Sequence, residues 1–285
     1  MGSGLFLLGA FLIINWMTKR QSAWTWLLSV LPTAMIVLVA VIFTSGEIAL
    51  ALIWGIVAIN LGLLGLIALV SKKQLRQDLL PTSVLDIVLG WGTCVLAGCG
   101  GKVGRFSGCG LIIVGLISGW HLLRQNQNIL PSPMCEVKKD CGAYIRLFVA
   151  ILLVVAGAWL MLWQHESMVM CLKIPVSIYG TVGLGTICTL PALFLLRPKG
   201  RLHRHQLMEG LAYNNVFLST IGVGLVGVRM GQLPMTLNTL LITMPWIAVA
   251  VLVLTLMIWL PQKTARWWGG LVVLTVLLSI FSLLV

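Results

Sequence analysis

The sequence predicts an all-α integral membrane protein, with ten transmembrane helices in two inverted five-helix halves and both termini outside. Three observations predict it. Of 285 residues, 59% are hydrophobic and only 9% charged, and the mean hydropathy is +1.05, far more apolar side chain than one soluble core could bury. The basic residues fall mainly in alternate connections between apolar runs. One long polar stretch divides the chain near its middle.

A helix needs about 20 apolar residues to cross the hydrocarbon, and charge, Pro and Gly clusters mark where such runs stop. Cut this way, the chain gives spans at 4–18, 24–44, 48–70, 82–99, 107–123, 143–163, 174–196, 209–228, 235–260 and 267–285. The opening "MGSGLFLLGAFLIINWMTKRQ" lacks a basic leader and a small-residue cleavage site, so it reads as the first span and not as a signal peptide. The odd connections hold Lys19 and Arg20; Lys72, Lys73 and Arg76; Arg124, Lys138 and Lys139; Arg197, Lys199, Arg201 and Arg204; Lys263 and Arg266. The even ones hold only Lys102, Arg105 and Arg229, with Arg146 and Lys173 at span edges. This bias places the odd connections in the cytoplasm. It also accounts for the net charge of +12 through topology, which removes nucleic acid as a partner.

The longest polar stretch, "RQNQNILPSPMCEVKKDCGAY", carries two prolines that favour an extended linker. It separates a first half, 1–123, from a second, 143–285, through a cytoplasmic linker, 124–142. An odd number of spans per half forces opposite orientations, so a sequence relation between the halves is an inverted repeat, as in many secondary transporters. A single gapless offset that carries Pro32 onto Pro191 also pairs Leu52 with Leu211, Trp54 with Tyr213, Val57 with Val216 and Gly65 with Gly224.

Proline inside a membrane helix frees a carbonyl, which neighbouring helices, hydroxyls or a water-lined cavity must satisfy. Ser29 and Thr33 flank Pro32, and Thr186 and Thr189 precede Pro191 in "GTVGLGTICTLPALFLL". Two readings stay open: a midplane cation site of carbonyls and hydroxyls, or packing kinks. Of the seven acids, Glu136, Asp140, Asp78 and Glu166 fall in connections, and Glu47 and Glu209 at span starts, where a carboxylate meets a helix N-terminus. Asp86, a turn into the fourth span, is the candidate intramembrane acid; such residues are functional candidates, and capping or pairing with Arg76 is the alternative. Asn214, Asn215 and Ser219 form a polar cluster beside Tyr213, suited to binding substrate or water, or to bonding between helices.

The seven cysteines have no CxxC metal spacing and read as ordinary small membrane residues. "RPKGRLHRHQ" reads as a positive-inside loop in reach of anionic lipid, with Arg beside His203 and His205 repelling a metal. Trp24, Trp26, Trp267 and Trp268 read as interfacial anchors. No G-x-S-x-G elbow, H-E-x-x-H pair, haem-holding histidine pair or phosphate loop is present.

"SVLPT" with "SGEIALALIWGIVAINLGLLGLIAL", and "CTLPA" with "MEGLAYNNVFLSTIGVGLVG", resemble the two alpha repeats of the calcium/cation antiporter superfamily, the sodium/calcium exchangers. Each family repeat resembles G-T-S-x-P-E followed by G-N-x-x-G-S-N-x-x-N. With the prolines aligned, Gly55 and Asn60 fall on the glycine and the final asparagine of the first repeat. Gly210, Asn214 with Asn215, and Ser219 fall on matching positions of the second. The resemblance implies ten spans, with spans two and three against seven and eight around a midplane cation site. Where the family has a glutamate after each proline, this chain has Thr33 and Ala192. A calcium ion wants six to eight oxygens with carboxylates among them, so calcium is not expected here.

The expected function is secondary transport, by antiport, of a cation or small solute, calcium not being expected, with a monovalent cation or small solute as the expected partner. Ser29, Pro32, Thr33, Asn60, Thr186, Thr189, Pro191, Asn214, Asn215 and Ser219 are expected nearest the pathway. No enzymatic activity, metal site or cofactor is expected, and the bacterial inner membrane is the expected location. A transport-inactive scaffold or assembly subunit that binds a protein partner is the alternative, and a lipid-handling protein the third reading.

Overall fold

The computed structural model describes residues 1–18, 24–70, 81–98, 102–129, 141–175, 178–193, 201–234, 244–259 and 265–281. Helices α1 (Gly2–Thr18), α2 (Trp24–Phe43), α3 (Gly46–Val70), α4 (Pro81–Gly98), α5 (Arg105–Ile129) and α6 (Cys141–Trp163) follow the first six predicted spans. A π-helical turn, Tyr179–Leu184, leads into α8 (Gly185–Leu193) at the seventh, after a short α7 (His165–Leu172) that joins α6 to it. The eighth is α9 (Arg201–Phe217), a π turn (Leu218–Gly222) and α10 (Val223–Met230) in succession. The last two are α11 (Met244–Trp259) and α12 (Ala265–Phe281). Among the described residues the only strands are β1 (Lys102–Gly104) and β2 (Gln232–Pro234), paired antiparallel with Val103 opposite Leu233.

The differences from the sequence expectation lie at helix ends. Helix α5 continues through Ile129 into the predicted linker, and α9 begins at Arg201 inside the predicted basic loop. Hydropathy stops where the hydrocarbon stops, whereas backbone hydrogen bonding continues through polar helix formers such as Arg and Gln. Glu166 lies in α7 and not in a loop.

Among the described residues, four helical stretches are long and apolar enough to cross a membrane: Gly46–Leu69, Arg105–Leu122, Tyr144–Trp163 and Leu207–Met230. The first and last are 78% and 72% buried and form the centre, while the other two are 33% buried and lie outside. The helices leave large apolar side chains exposed, among them Leu8, Leu89, Ile117, Phe148, Leu252 and Leu274, which suits lipid and not water.

The two central elements meet outer helices through reciprocal glycine contacts. A Cβ on Gly65 of α3 would lie 2.9 Å from the Gly269 oxygen of α12, and one on Gly269 2.7 Å from the Gly65 oxygen. The same exchange joins α10 to α5, with Gly224 and Gly108 at 2.6 and 2.7 Å from each other's oxygens. Small residues allow this backbone approach, and packing at short range is what drives helix association in lipid.

Candidate functional site

The site is built where α2, α3, α4 and α9 converge. Pro32 and Pro191 are both buried within their helices. Thr33, after Pro32, is 4% exposed, and its Oγ1 accepts a hydrogen bond from Nδ2 of Asn214 on α9 at 3.3 Å.

Helices α3 and α9–α10 run antiparallel. At one end Arg229 of α10 donates to the carbonyls of Val41 and Thr44, just before α3 begins. Further along, Ile53 Cδ1 lies 3.3 Å from where a Gly222 Cβ would be. Asn60 lies seven residues beyond Ile53 on α3, and Asn215 seven residues before Gly222 across the π turn. Because the two elements run antiparallel, Asn60 and Asn215 lie at a similar depth along them. Both amide atoms of Asn60, both of Asn215 and Oδ1 of Asn214 are buried with no hydrogen-bond partner among the described residues. Buried amides are expensive to leave unmatched, so this cluster is the most conspicuous polar feature of the core.

The π turn beside it keeps its own bonds. Ser219 Oγ donates to the Asn215 carbonyl at 2.8 Å, and Thr220 Oγ1 to that of Val216 at 2.6 Å, satisfying carbonyls that the wider turn loosens. Gly90 of α4 admits this wall, since its added Cβ would lie 3.1 Å from Ser219 Oγ. On the seventh span, Thr189 Oγ1 donates to Gly185 and Thr186 carbonyls at 3.1 and 3.0 Å. These precede the Ile187 carbonyl, the one that Pro191 leaves free. Thr186 itself is exposed. Ser29 lies on α2 with its side chain outside the described residues, as does that of Ala192 on α8.

Two acids lie between α4 and its neighbours. Asp86, 6% exposed, faces His121 of α5, with Oδ2 to Nδ1 at 3.4 Å; Arg76 lies outside the described residues. Glu209 corrects the sequence expectation: it is not at a helix start but two turns into α9, 2% exposed, and accepts a hydrogen bond from Ser83 Oγ of α4. The signal was available in the sequence. Pro198 and Gly200 are the helix breakers that mark the true start, and no capping residue stands at 206–208. Among the described residues no group of His, Cys, Asp and Glu could hold a metal ion, and Cys94, Cys109, Cys171 and Cys188 are unbridged.

No family model and no curated protein matches the chain. Solved structures do. The sodium-calcium exchanger NCX_Mj soaked with Na+ and Sr2+ matches at TM-score 0.67 and 18% identity, over 98% of this chain and 95% of that one. The fold is that of the calcium/cation exchangers. The H+/Ca2+ exchanger CAX matches at TM-score 0.64 and 13% identity, over 98% of this chain and 84% of that one. Native YfkE matches at 0.65 and 12%, over 98% and 90%. This exchanger fold extends over essentially the whole chain.

Proposed function

We propose that the chain is a ten-span integral membrane protein of the bacterial inner membrane that moves a monovalent cation or small solute by alternating access. In this reading both termini lie outside, and residues 1–123 and 143–285 are inverted halves joined by a cytoplasmic linker. The reciprocal glycine contacts support the inversion. Gly65 and Gly224, paired by the offset between Pro32 and Pro191, each bring a central helix against a helix of the other half.

The observation that carries the functional reading is the asparagine cluster. In a fold shared with exchangers, Asn60 of α3 and Asn214 and Asn215 of α9 hold buried amide oxygens that have no partner among the described residues. Neutral carbonyl-type oxygens suffice for a monovalent cation. They do not suffice for a divalent one, whose Born cost grows with the square of its charge, about fourfold larger. Thr33 and Ala192 supply no countercharge for it.

The test is flux into proteoliposomes under imposed sodium, potassium, calcium and proton gradients. Wild type is expected to exchange sodium or potassium, and Asn215→Leu to slow that exchange by about tenfold or more, the value of one lost polar ligand. Absence of flux under every gradient would sink the transport reading and leave a scaffold subunit.

A further inference from the structure

Helix α4 opens at Pro81, so Asp86 lies past the first turn and cannot cap the helix N-terminus. Its carboxylate points instead across to α5, where His121 Nδ1 meets Oδ2 at 3.4 Å. The two side chains differ sharply in access: that of Asp86 is 8% exposed and that of His121 54%. His121 lies toward the odd-connection end of α5, three residues before Arg124, whose guanidinium rests on the Trp120 ring at 5.3 Å. A buried carboxylate within a membrane helix, joined to an accessible imidazole, is the arrangement from which proton relays are built.

We infer that the Asp86–His121 pair binds a proton taken up from the odd-connection end, and that this proton is the ion exchanged for the cation at the asparagines. The coupling role rests on the transport reading above. Each proton that joins the pair raises its charge by one, and its release to solvent through His121 lowers it by one. Exchange of one proton for one monovalent cation is then electroneutral.

The α4–α9 interface links the two sites. These helices run in parallel, with Ser83 against Glu209 and, two turns on, Gly90 against Val216 and Ser219. Asp86 sits one turn before Gly90, and Asn215 immediately precedes Val216. Helix rise and ordinary interhelical spacing put the pair and the asparagines roughly 10 Å apart. At that distance and an effective dielectric of about 20, a bound cation weakens proton affinity by about tenfold. Among the described residues the groups facing the pair are few. Helix α9 contributes Glu209, through Ser83, and Tyr213, whose hydroxyl lies 2.8 Å from an added Gly119 Cβ. Helix α5 contributes His121 and Arg124, β1 at the far end of α4 brings Lys102, and α11 has no titratable residue.

The test adds sodium or potassium chloride, with choline chloride as control, to the full chain in weakly buffered detergent containing a pH indicator. Linkage is reciprocal, so cation binding that weakens proton affinity about tenfold must release up to about half a proton per chain near the pH midpoint of the pair. Asp86→Asn is expected to abolish the release while keeping the rise in melting temperature caused by the cation, which certifies folding and binding. Asp86→Glu is expected to retain the release, and His121→Gln to retain it with a displaced pH midpoint. Release undiminished in Asp86→Asn, or flux with no release and no dependence on a pH gradient, would overturn the inference while transport stands. Proton release without flux under any gradient would leave the proton site standing and remove the transport reading.

Discussion

At the scale of the residue, the central fact is that asparagine stands where neither packing nor hydrogen bonding explains it. Asn60 is 1% exposed and Asn215 2%, and neither amide finds a partner among the described residues. A buried amide left unmatched costs about 1–3 kcal/mol. Leucine has a similar shape and no polar atoms to satisfy. Asn60→Leu is therefore expected to leave thermal stability in detergent unchanged or raise it by about 1 kcal/mol, while cation exchange is lost. Opposite movement of stability and activity is the signature of a residue kept for function. A loss of more than about 2 kcal/mol would mean that the amide holds the fold together, as interior hydrogen bonds do in other membrane helices. Thr33 makes the same point from the other side: its hydroxyl orients Asn214 and brings no charge to the site.

At the scale of the element, the two proline-bearing helices and the polar cluster were legible in the sequence, because Pro, Thr and Asn are conspicuous in an apolar run. The π turns and the true helix ends were not. Hydropathy records where lipid begins, so it missed the polar first turns of α9 and with them the burial of Glu209. The partner of Asp86 was likewise hidden, since His121 is distant in sequence and only the packing of α4 on α5 joins them. The π turn at Tyr179–Leu184 shows what its glycine-rich sequence is for. A Cβ on Gly55 of α3 would run into the backbone oxygen of Thr181, and Thr181 Oγ1 donates to the Ala51 carbonyl at 3.2 Å. The two backbones are in contact. Gly55→Ala is expected to cost about 3 kcal/mol, at the upper end of overpacking penalties. Gly92→Ala, with nothing within 4 Å of the new Cβ, is expected to be neutral or to stabilise by up to about 1 kcal/mol through helix propensity. Thermal melts of the two variants side by side check the contrast, and equal melting temperatures would contradict the close crossing.

At the scale of the molecule, the basic-residue bias and the packing bear on the same question from independent directions. Connections two, four and eight, all even, come together at one end: β1 pairs with β2, and Arg229 donates to the Thr44 carbonyl at 2.9 Å. Arg229 also provides the positive charge that favours the C-terminal end of α2. In the proposed ten-span arrangement the even connections share one face, and the Lys/Arg distribution is the ground for proposing that face as the outer one. Helix α5 offers a direct test, because Lys102 precedes it and Arg124 lies near its other end, both exposed. The intervening helix of about 20 residues rises about 30 Å, the thickness of the hydrocarbon. With the native cysteines replaced, Lys102→Cys is expected to react with a membrane-impermeant maleimide added outside intact cells. Arg124→Cys is expected to react only after the membrane is opened. The reverse pattern would invert the orientation and send the proton site to the outer face, whereas labelling of both from one side would mean that α5 does not span.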